Sequence, residues 1–171
     1  LLLASCGTAK KSSKSSKNFS DSSKNTHVLK SNKNSLDDFA NVLGVSKKEL
    51  KNSKLYFYID DWLGTPHKMG GLTKSGIDCS GFIVGLYEEI YNEKLPRTSR
   101  DMANIVSKKN TKNLNEGDLV FFSFGGKSVD HVGMYLHNNK FVHVSTRKGV
   151  IISDLTDIWY GKYVTKSGSV K

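Results

Sequence analysis

A cysteine at position 79 carries the first sign of chemistry in this chain. It lies in the segment GIDCSGF at positions 76–82, where a turn-rich stretch gives way to an apolar pattern of helical spacing. A helix that begins at Cys79 would present free backbone N–H groups and the positive end of its dipole to the sulfur, so the sequence predicts a lowered thiol pKa. The N–H of Cys79 could also bind an oxyanion. Taken alone, the motif fits a buried structural cysteine equally well.

Two histidines favour the catalytic interpretation, since a thiol nucleophile needs a base. His131 and His143 lie in successive β-type runs, separated by a turn that contains Asn138 and Asn139. Side chains alternate along a strand, so the two rings share a face only if an odd number of residues joins the strands. We therefore predict an odd-numbered loop or a bulge between positions 136 and 141. In that register His131 is the base and His143 accepts its ring N–H.

Other chemistries fit these residues less well. His131 follows Cys79 by 52 residues and His143 follows His131 by 12, which is not the close spacing typical of zinc ligands. The chain also lacks the Gly-x-Ser-x-Gly elbow of a serine nucleophile. The predicted reaction needs no metal or organic cofactor. His27 and His137 are interpreted as solvent-exposed residues without a role.

The elements that must position these side chains are helices in the first part of the domain and short strands in the second. Helices are expected over 36–43 with Ser35 as cap, over a segment that starts at Ser46 or later and ends at 63, over 80–91, and over 99–106 with Ser99 as cap. Strands are expected at 119–122, 131–136, 140–144, 150–152 and 162–164. Helices followed by strands indicate an α+β fold, in which helices pack on an antiparallel sheet.

The start of the chain indicates secretion. Its first six residues, LLLASC, form an apolar run that ends in small residues before Cys6, as a secretory signal does. Positions 3–6 resemble a bacterial lipobox, which implies cleavage before Cys6 and lipid on its sulfur; the alternative is a chance apolar segment with a free or buried cysteine. The protein would then be anchored by lipid to a bacterial membrane and face the periplasm or the cell wall. In that oxidising setting, a single thiol such as Cys79 is a liability unless its chemistry is needed.

The positive charge is concentrated ahead of the domain core. Of the net charge of +10, about +7 lies between positions 7 and 54. Residues 6–34 have almost no apolar side chains, so we interpret them as a flexible tether and residues 35–171 as one catalytic domain. The tether suits anionic lipid headgroups or an anionic wall polymer, or is a solvated tail with no specific partner. Without interleaved aromatic residues it predicts no nucleic-acid partner. We expect the domain to act as a monomer.

Seven motifs together resemble the NlpC-type cell-wall peptidases. They are LGTP at 63–66, GG at 70–71, GIDCSGF at 76–82, LPRTS at 95–99, GDLVFF at 117–122, DHVGMY at 130–135 and FVH at 141–143. The resemblance covers about 55–164 and implies a papain-like α+β fold, with Cys79 as nucleophile, His131 as base and His143 as the orienting residue. It also implies hydrolysis of peptidoglycan stem peptides, usually at the bond from D-γ-glutamyl to diaminopimelate or lysine.

One position departs from that family's pattern. Relatives commonly carry tyrosine twelve residues before the nucleophile, where this chain has His67. His67 can still donate a hydrogen bond near the oxyanion, or it is a loop residue at the rim of the cleft. Asp78 is expected to cap the helix or to support the cleft together with Ser80. The resemblance places Arg97 and Ser99 along the substrate cleft.

The residues and the resemblance together predict acyl transfer. The Cys79 thiolate attacks a peptide carbonyl, His131 gives a proton to the leaving amine, and water hydrolyses the thioester. Two alternatives stay open. One is a catalytically silent lipoprotein that binds wall peptides or a partner protein, and the other is an amidase or transferase with the same Cys-His chemistry.

Overall fold

The computed structural model describes residues 36–171. The predicted lipobox with Cys6, the tether, His27 and the Ser35 cap lie outside the described residues. Within the described part of the chain, no helix has both the length and the apolar character needed to cross a membrane.

Two short helices open the described domain, as the sequence predicts. Helix α1 spans Leu36–Leu43 and ends at Gly44, whose φ of 66° glycine adopts without steric cost. Helix α2 spans Ser53–Trp62 and starts anew, because the Asn52 side chain accepts the Leu55 N–H at its first turn. The predicted capping pair at Ser46 is present but surrounds only a single 3-10 turn.

The stretch before the cysteine is more regular than predicted. Strand β1, Leu72–Thr73, pairs with strand β2, Gly76–Ile77, where the sequence indicates only turns. Strands of two residues are too short to show an alternating pattern, which is why the sequence does not reveal them. Strand β2 leads through one residue into helix α3, Cys79–Tyr91, which begins at the cysteine as predicted.

Two predicted boundaries are wrong. Helix α4 spans Ser99–Ile105 and is capped by Thr98, not by Ser99, because the Thr98 hydroxyl accepts the Asp101 N–H at 3.2 Å. Near the C-terminus the predicted strand at 162–164 is mostly the end of helix α5, Ile158–Tyr163. A run of three residues fits a strand pattern by chance, and the aromatic side chains of α5 pack at helical spacing instead.

Six strands form one antiparallel sheet in the order β3-β8-β4-β5-β6-β7. Their bounds are Val106–Lys108 for β3, Leu119–Phe122 for β4, His131–Tyr135 for β5, Lys140–Ser145 for β6, Gly149–Asp154 for β7 and Val164–Val170 for β8. Strands β4 to β7 were predicted. Strand β3 was not, because it forms by pairing with β8, a partner more than fifty residues away in sequence. Helices packed on an antiparallel sheet confirm the α+β fold.

The two faces of the sheet differ in what covers them. Helix α3 packs on one face, where Phe82 and Leu86 lie in the same buried cluster as Val132 and Met134. The other face carries an aromatic cluster that includes Phe122 and Phe141, with Phe124, Tyr160 and Tyr163 packed against it. Because side chains alternate along a strand, the residues on either side of Val132 and Met134 face this aromatic cluster.

Candidate active site

Cys79 is the first residue of α3 and is held there by its neighbour Asp78. The Asp78 carboxylate accepts the Gly81 N–H at 2.6 Å as an N-cap and the Gly70 N–H at 2.8 Å from the preceding loop. Glycine at 81 is required, because a Cβ there would lie 2.7 Å from the Gly71 carbonyl oxygen. The loop and the helix start therefore fit closely, and the half-buried thiol opens into a cavity of about 660 Å³.

His131 lines the same cavity from the sheet side. It is the first residue of β5, next to Val132, whose backbone N–H partly offsets the rise that burial causes in the pKa of the Cys79 thiol. Its ring is enclosed by Phe122, Phe124 and His143, whose ring centres lie 5.8, 5.5 and 5.1 Å away. The fold thus brings the predicted nucleophile and the predicted base into one cleft.

The predicted register of the two histidines is confirmed. Gly133 pairs with His143 across β5 and β6, so His131 and His143 share one face of the sheet. The Leu136 N–H donates to the Lys140 carbonyl oxygen at 2.9 Å, so three residues, 137–139, join the last paired positions, and Asn138 and Asn139 both take positive φ, 46° and 62°. The odd-numbered loop is therefore present. Asn138 also donates to the Leu43 carbonyl oxygen at 3.0 Å, which ties the hairpin to the end of α1.

The two rings are joined directly. His131 Nε2 lies 2.9 Å from His143 Nδ1, and the rings stand at 85° to each other. Gly133 makes this approach possible, since a Cβ there would lie 2.8 Å from the Val142 carbonyl oxygen and 3.2 Å from the His143 Cβ. With Nε2 occupied, Nδ1 is the ring nitrogen of His131 that remains for proton exchange with Cys79.

A serine that the sequence did not single out extends this chain of hydrogen bonds. Ser153 on β7 is buried, and its Oγ lies 2.9 Å from His143 Nε2. Burial raises the pKa of the neighbouring Tyr160 phenol overall, and the Ser153 hydroxyl lowers it in part. When His131 donates from Nε2 to His143 Nδ1, the proton of His143 is on Nε2 and is donated to Ser153 Oγ. That tautomer leaves His131 Nδ1 unprotonated, as a general base requires.

The protonation states at rest differ from the prediction. Burial raises the pKa of the Cys79 thiol, and this outweighs the backbone N–H groups of Val132, Ser80 and Cys79, which lower it. The predicted lowering of the thiol pKa is therefore wrong, because the helix start lies under the sheet and not in open solvent. Burial lowers the pKa of His131 to about 4 and that of His143 well below its usual value. At neutral pH the pair is a thiol beside a neutral imidazole.

Arg97 and Asp78 form the wall of the cleft next to Cys79. The guanidinium donates from Nη1 and Nη2 to the two carboxylate oxygens of Asp78, at 3.0 and 2.7 Å, and from Nη1 to Ser80 Oγ at 2.8 Å. Burial raises the pKa of Asp78, but the hydrogen bonds from Arg97 and from the Gly81 and Gly70 N–H groups bring it below its usual value. Arg97 and Ser99 both line the cavity, as the resemblance implied.

His67 also lines this cavity. The residues on either side of it are fixed to β2, because the Lys68 N–H donates to the Ile77 carbonyl oxygen and the Ile77 N–H donates to the Pro66 carbonyl oxygen, both at 3.0 Å. A positive charge on His67 would lower the pKa of His131. His67 therefore stands at the cleft, at the position where the family that the sequence resembles carries tyrosine.

His137 contradicts its prediction as an exposed residue. It is half-buried, and its Nε2 lies 3.1 Å from the Glu116 carboxylate, which also accepts the Tyr56 hydroxyl. The loop turns the His137 side chain towards α2, and its contact with Glu116 stabilises the hairpin. It lies outside the cleft.

Acid is expected to destabilise the domain through the buried histidines. The pKa of His131 is about 4 when folded against an ordinary ~6.5 when unfolded. Between these pH values the unfolded chain binds more protons than the folded chain. The free energy of unfolding is therefore at its full value above the unfolded pKa of His131 and falls as the pH drops below it. From pH 7 to pH 5, His131 alone should lower the free energy of unfolding by about 2 kcal/mol. Urea unfolding at several pH values measures this.

The matched control for this acid effect is His131→Gln, which removes the titrating ring and keeps a polar side chain. The variant should lose stability less steeply over the same pH range. Equal slopes for the two proteins would show that other groups cause the acid sensitivity. Asp78 and Asp154 do not interfere, because their pKa values are lowered from an ordinary value that already lies below this range.

Comparison with known proteins agrees with this geometry. Residues 64–168 match the family model described as the NlpC/P60 family. A probable endopeptidase NlpC homolog of Haemophilus influenzae is 41% identical over 108 residues, which cover 63% of this chain and 57% of that protein. The murein DD-endopeptidase MepS/murein LD-carboxypeptidase of Escherichia coli K12 is 39% identical over 128 residues, 75% of this chain and 66% of that protein.

Solved structures show the same fold. The crystal structure of an NlpC/P60 family protein from Bacillus cereus superposes with a TM-score of 0.63 at 28% identity, over 68% of this chain and 39% of that one. The chain spans 57% and 66% of the length of the two curated relatives above. Residues 64–168, which match the family model, include Cys79, His131, His143 and Ser153.

Proposed function

Because this chain belongs to the NlpC/P60 family, we propose that it is a cysteine peptidase that hydrolyses peptide bonds in the stem peptides of peptidoglycan. The observation that carries the proposal is the joined set of Cys79 at a helix start, His131 in the same cavity, and His143 bonded to His131 Nε2 at 2.9 Å. Acyl transfer needs a nucleophile, a base and a group that orients the base, and we assign these roles to Cys79, His131 and His143.

The resting thiol and neutral imidazole define how the reaction begins. His131 Nδ1 takes the thiol proton as the Cys79 sulfur bonds to the carbonyl carbon, so the thiolate forms during attack. The Cys79 N–H at the start of α3, with the His67 ring as a second donor, faces the oxygen that becomes negative. His131, now protonated, gives its proton to the leaving nitrogen as the C–N bond breaks. Water then attacks the thioester carbon and gives a proton to His131, and His131 returns that proton to the Cys79 sulfur as the C–S bond breaks.

The scissile bond belongs to the same proposal. The D-γ-glutamyl bond to diaminopimelate or lysine is the bond implied by the resemblance, whereas the name of the Escherichia coli relative assigns DD-endopeptidase and LD-carboxypeptidase activities to that protein. We favour cleavage inside the stem peptide at D-γ-glutamyl. Each of the three bonds yields products of different mass.

The test is to incubate the purified protein with wall muropeptides and to identify the products by mass spectrometry. A parallel sample is first treated with iodoacetamide at alkaline pH, where the thiol ionises. Cleavage that is lost on alkylation supports the proposal, and the product masses identify the bond. Transfer or deamidation products in place of peptide hydrolysis would instead support the amidase or transferase alternative.

A silent binding module is the second candidate, and two observations favour it. His67 stands where the family carries tyrosine, and burial raises the pKa of Cys79. No cleavage of any muropeptide, together with retained binding of stem peptides, would establish this second function.

We further propose that lipid on Cys6 attaches the protein to a bacterial membrane, on the basis of the LLLASC sequence at the N-terminus. Fractionation of cells that express the natural chain or Cys6→Ala tests this. The natural chain should sediment with membranes and the variant should not, and equal fractionation of both would contradict the lipid anchor.

A further inference from the structure

We propose that Met69 is a modification site, at which a peroxide converts the thioether to a sulfoxide and thereby weakens binding of the peptide substrate in the cleft. Met69 lines the cavity that contains Cys79, and its side chain is 82% exposed. The effect on substrate binding rests on the proposed peptidase function, whereas the oxidation itself does not depend on that function.

The oxidation is selective because the other methionines are inaccessible. The chain contains three methionines, and Met102 and Met134 are both fully buried in the hydrophobic core. A peroxide has to reach the sulfur in order to react with it, and a close-packed core excludes the peroxide. Met69 is therefore the methionine that a peroxide attacks in the folded protein.

A fixed turn presents Met69 at the entrance of the cleft. The Lys68 N–H donates to the Ile77 carbonyl oxygen at 3.0 Å, and the Gly70 N–H donates to the Asp78 carboxylate at 2.8 Å. The backbone on both sides of Met69 is thus tied to strand β2 and to the residue that caps α3. An apolar side chain this exposed contributes little to folding, so its position at the cleft indicates a contact with a bound molecule.

Formation of the sulfoxide changes the chemistry of this part of the cleft wall. The thioether is apolar and polarisable, whereas the sulfoxide carries a strong dipole that water solvates. Contact between the thioether and the aliphatic part of a stem peptide removes apolar surface from water, but the same contact with the sulfoxide requires desolvation of a polar group. We therefore expect KM to rise and kcat to stay nearly constant, because the modified sulfur is not one of the reacting atoms.

The oxidation needs a peroxide as its only co-reactant. The sulfur of Met69 bonds to one peroxide oxygen, the O–O bond breaks, and the proton of the transferred hydroxyl group is released as the departing oxygen forms water. The sulfur loses two electrons and the peroxide gains them. Methionine sulfoxide reductases reverse this change, so the modification is reversible by an enzyme of that class.

Cys79 lies in the same cavity and is the competing target of a peroxide. The thiolate is the reactive form of a cysteine, and burial raises the pKa of the Cys79 thiol. The thioether of Met69 has no proton to lose, so its oxidation does not require a high pH. Mildly acidic conditions therefore favour oxidation of Met69 over oxidation of Cys79.

The experiment oxidises the full chain with hydrogen peroxide while Cys79 is protected. The thiols are first blocked as methyl disulfides at alkaline pH, the protein is then treated with hydrogen peroxide at mildly acidic pH, and dithiothreitol finally frees the thiols. Peptide mass spectrometry should find the added oxygen on Met69 and not on Met102 or Met134. The KM for a stem peptide should rise roughly 3- to 10-fold with little change in kcat, and a methionine sulfoxide reductase should restore it.

Two variants at the same position separate this modification from general oxidative damage. Met69→Leu keeps an apolar side chain but has no sulfur, so its KM after treatment should equal its own KM before treatment. Met69→Gln introduces a polar side chain of similar length, and its untreated KM should approach that of the oxidised natural protein. Met102→Leu is the matched control, because it retains Met69 and should respond to peroxide as the natural protein does.

An equal rise of KM in the natural protein and in Met69→Leu would overturn the inference, and so would oxidised Met69 with an unchanged KM. Oxygen on Met102 or Met134 in place of Met69 would contradict the selectivity. If the untreated protein cleaves no stem peptide, the proposed peptidase function fails separately. The same comparison is then made with the Kd for the stem peptide, and an equal Kd before and after oxidation would overturn this inference as well.

Discussion

Replacing Cys79 with alanine is expected to abolish hydrolysis of stem peptides, with a fall in kcat of roughly 10⁴-fold or more. The sulfur forms the bond to the carbonyl carbon, and the neighbouring Ser80 cannot replace it, because its hydroxyl is engaged by Asp78 and Arg97. The change should leave the fold intact, because Cys79 is only half-buried and Asp78 continues to cap the helix. Initial rates on a purified muropeptide, with the melting temperature alongside, measure both effects.

The matched control is Cys6→Ala, which removes the other cysteine of the chain. It should retain full activity in detergent or in soluble assays, because Cys6 belongs to the predicted lipobox and has no role in the reaction. Hydrolysis that survives in Cys79→Ala and disappears in Cys6→Ala would place the nucleophile elsewhere and contradict the assignment of the cleft.

The geometry of the candidate catalytic residues could be predicted from the sequence because its signals are local. Asp78 provides an N-cap immediately before an apolar helical pattern, so the position of Cys79 at the helix start follows from neighbouring residues alone. The shared face of His131 and His143 follows from strand parity once the loop is required to be odd. Both inferences depend on a few residues in a row, which is the range over which sequence patterns are reliable.

Features that depend on distant partners were not found. Ser153 joins the histidines only because β7 pairs with β6 in a register that places Ser153 opposite Phe141. The one local signal for Ser153 is that a polar residue directly follows the apolar run at 150–152. Strand β3 likewise depends on pairing with the distant strand β8. The cap of α4 depends on a choice between two adjacent hydroxyl residues, Thr98 and Ser99.

The error in the pKa of Cys79 has a physical origin. A helix N-terminus lowers a thiol pKa, and this part of the prediction is local. Burial raises it, and burial depends on how far the sheet and the preceding loop cover the sulfur, which only the assembled fold determines. The backbone N–H groups act from residues close to Cys79, whereas burial depends on elements that are distant in sequence. Burial has the larger effect on the pKa of Cys79. Sequence patterns can therefore place a candidate nucleophile at a helix start, but they cannot state its ionisation.

The raised thiol pKa makes His131 the residue on which the reaction most depends after Cys79 itself. Replacing His131 with alanine is expected to lower kcat/KM by roughly 10³- to 10⁴-fold at neutral pH, because the thiol then has no base and stays protonated. The remaining activity should rise about tenfold per pH unit towards the raised pKa of Cys79, as free thiolate replaces general-base catalysis. The natural enzyme should show no such rise, since its base is already neutral. Rates from pH 6 to pH 9.5 measure the difference.

His143→Ala and Ser153→Ala should lower kcat by smaller factors than His131→Ala. Loss of His143 leaves the base in place but no longer fixes its tautomer and orientation, so kcat should fall less than in His131→Ala. Ser153→Ala should lower kcat by a still smaller factor, because Ser153 contacts only Nε2 of His143. Neither variant should acquire the steep rise with pH, because His131 can still accept the thiol proton. A flat pH profile for His131→Ala, or a steep one for His143→Ala, would show that the proton of Cys79 does not pass to His131.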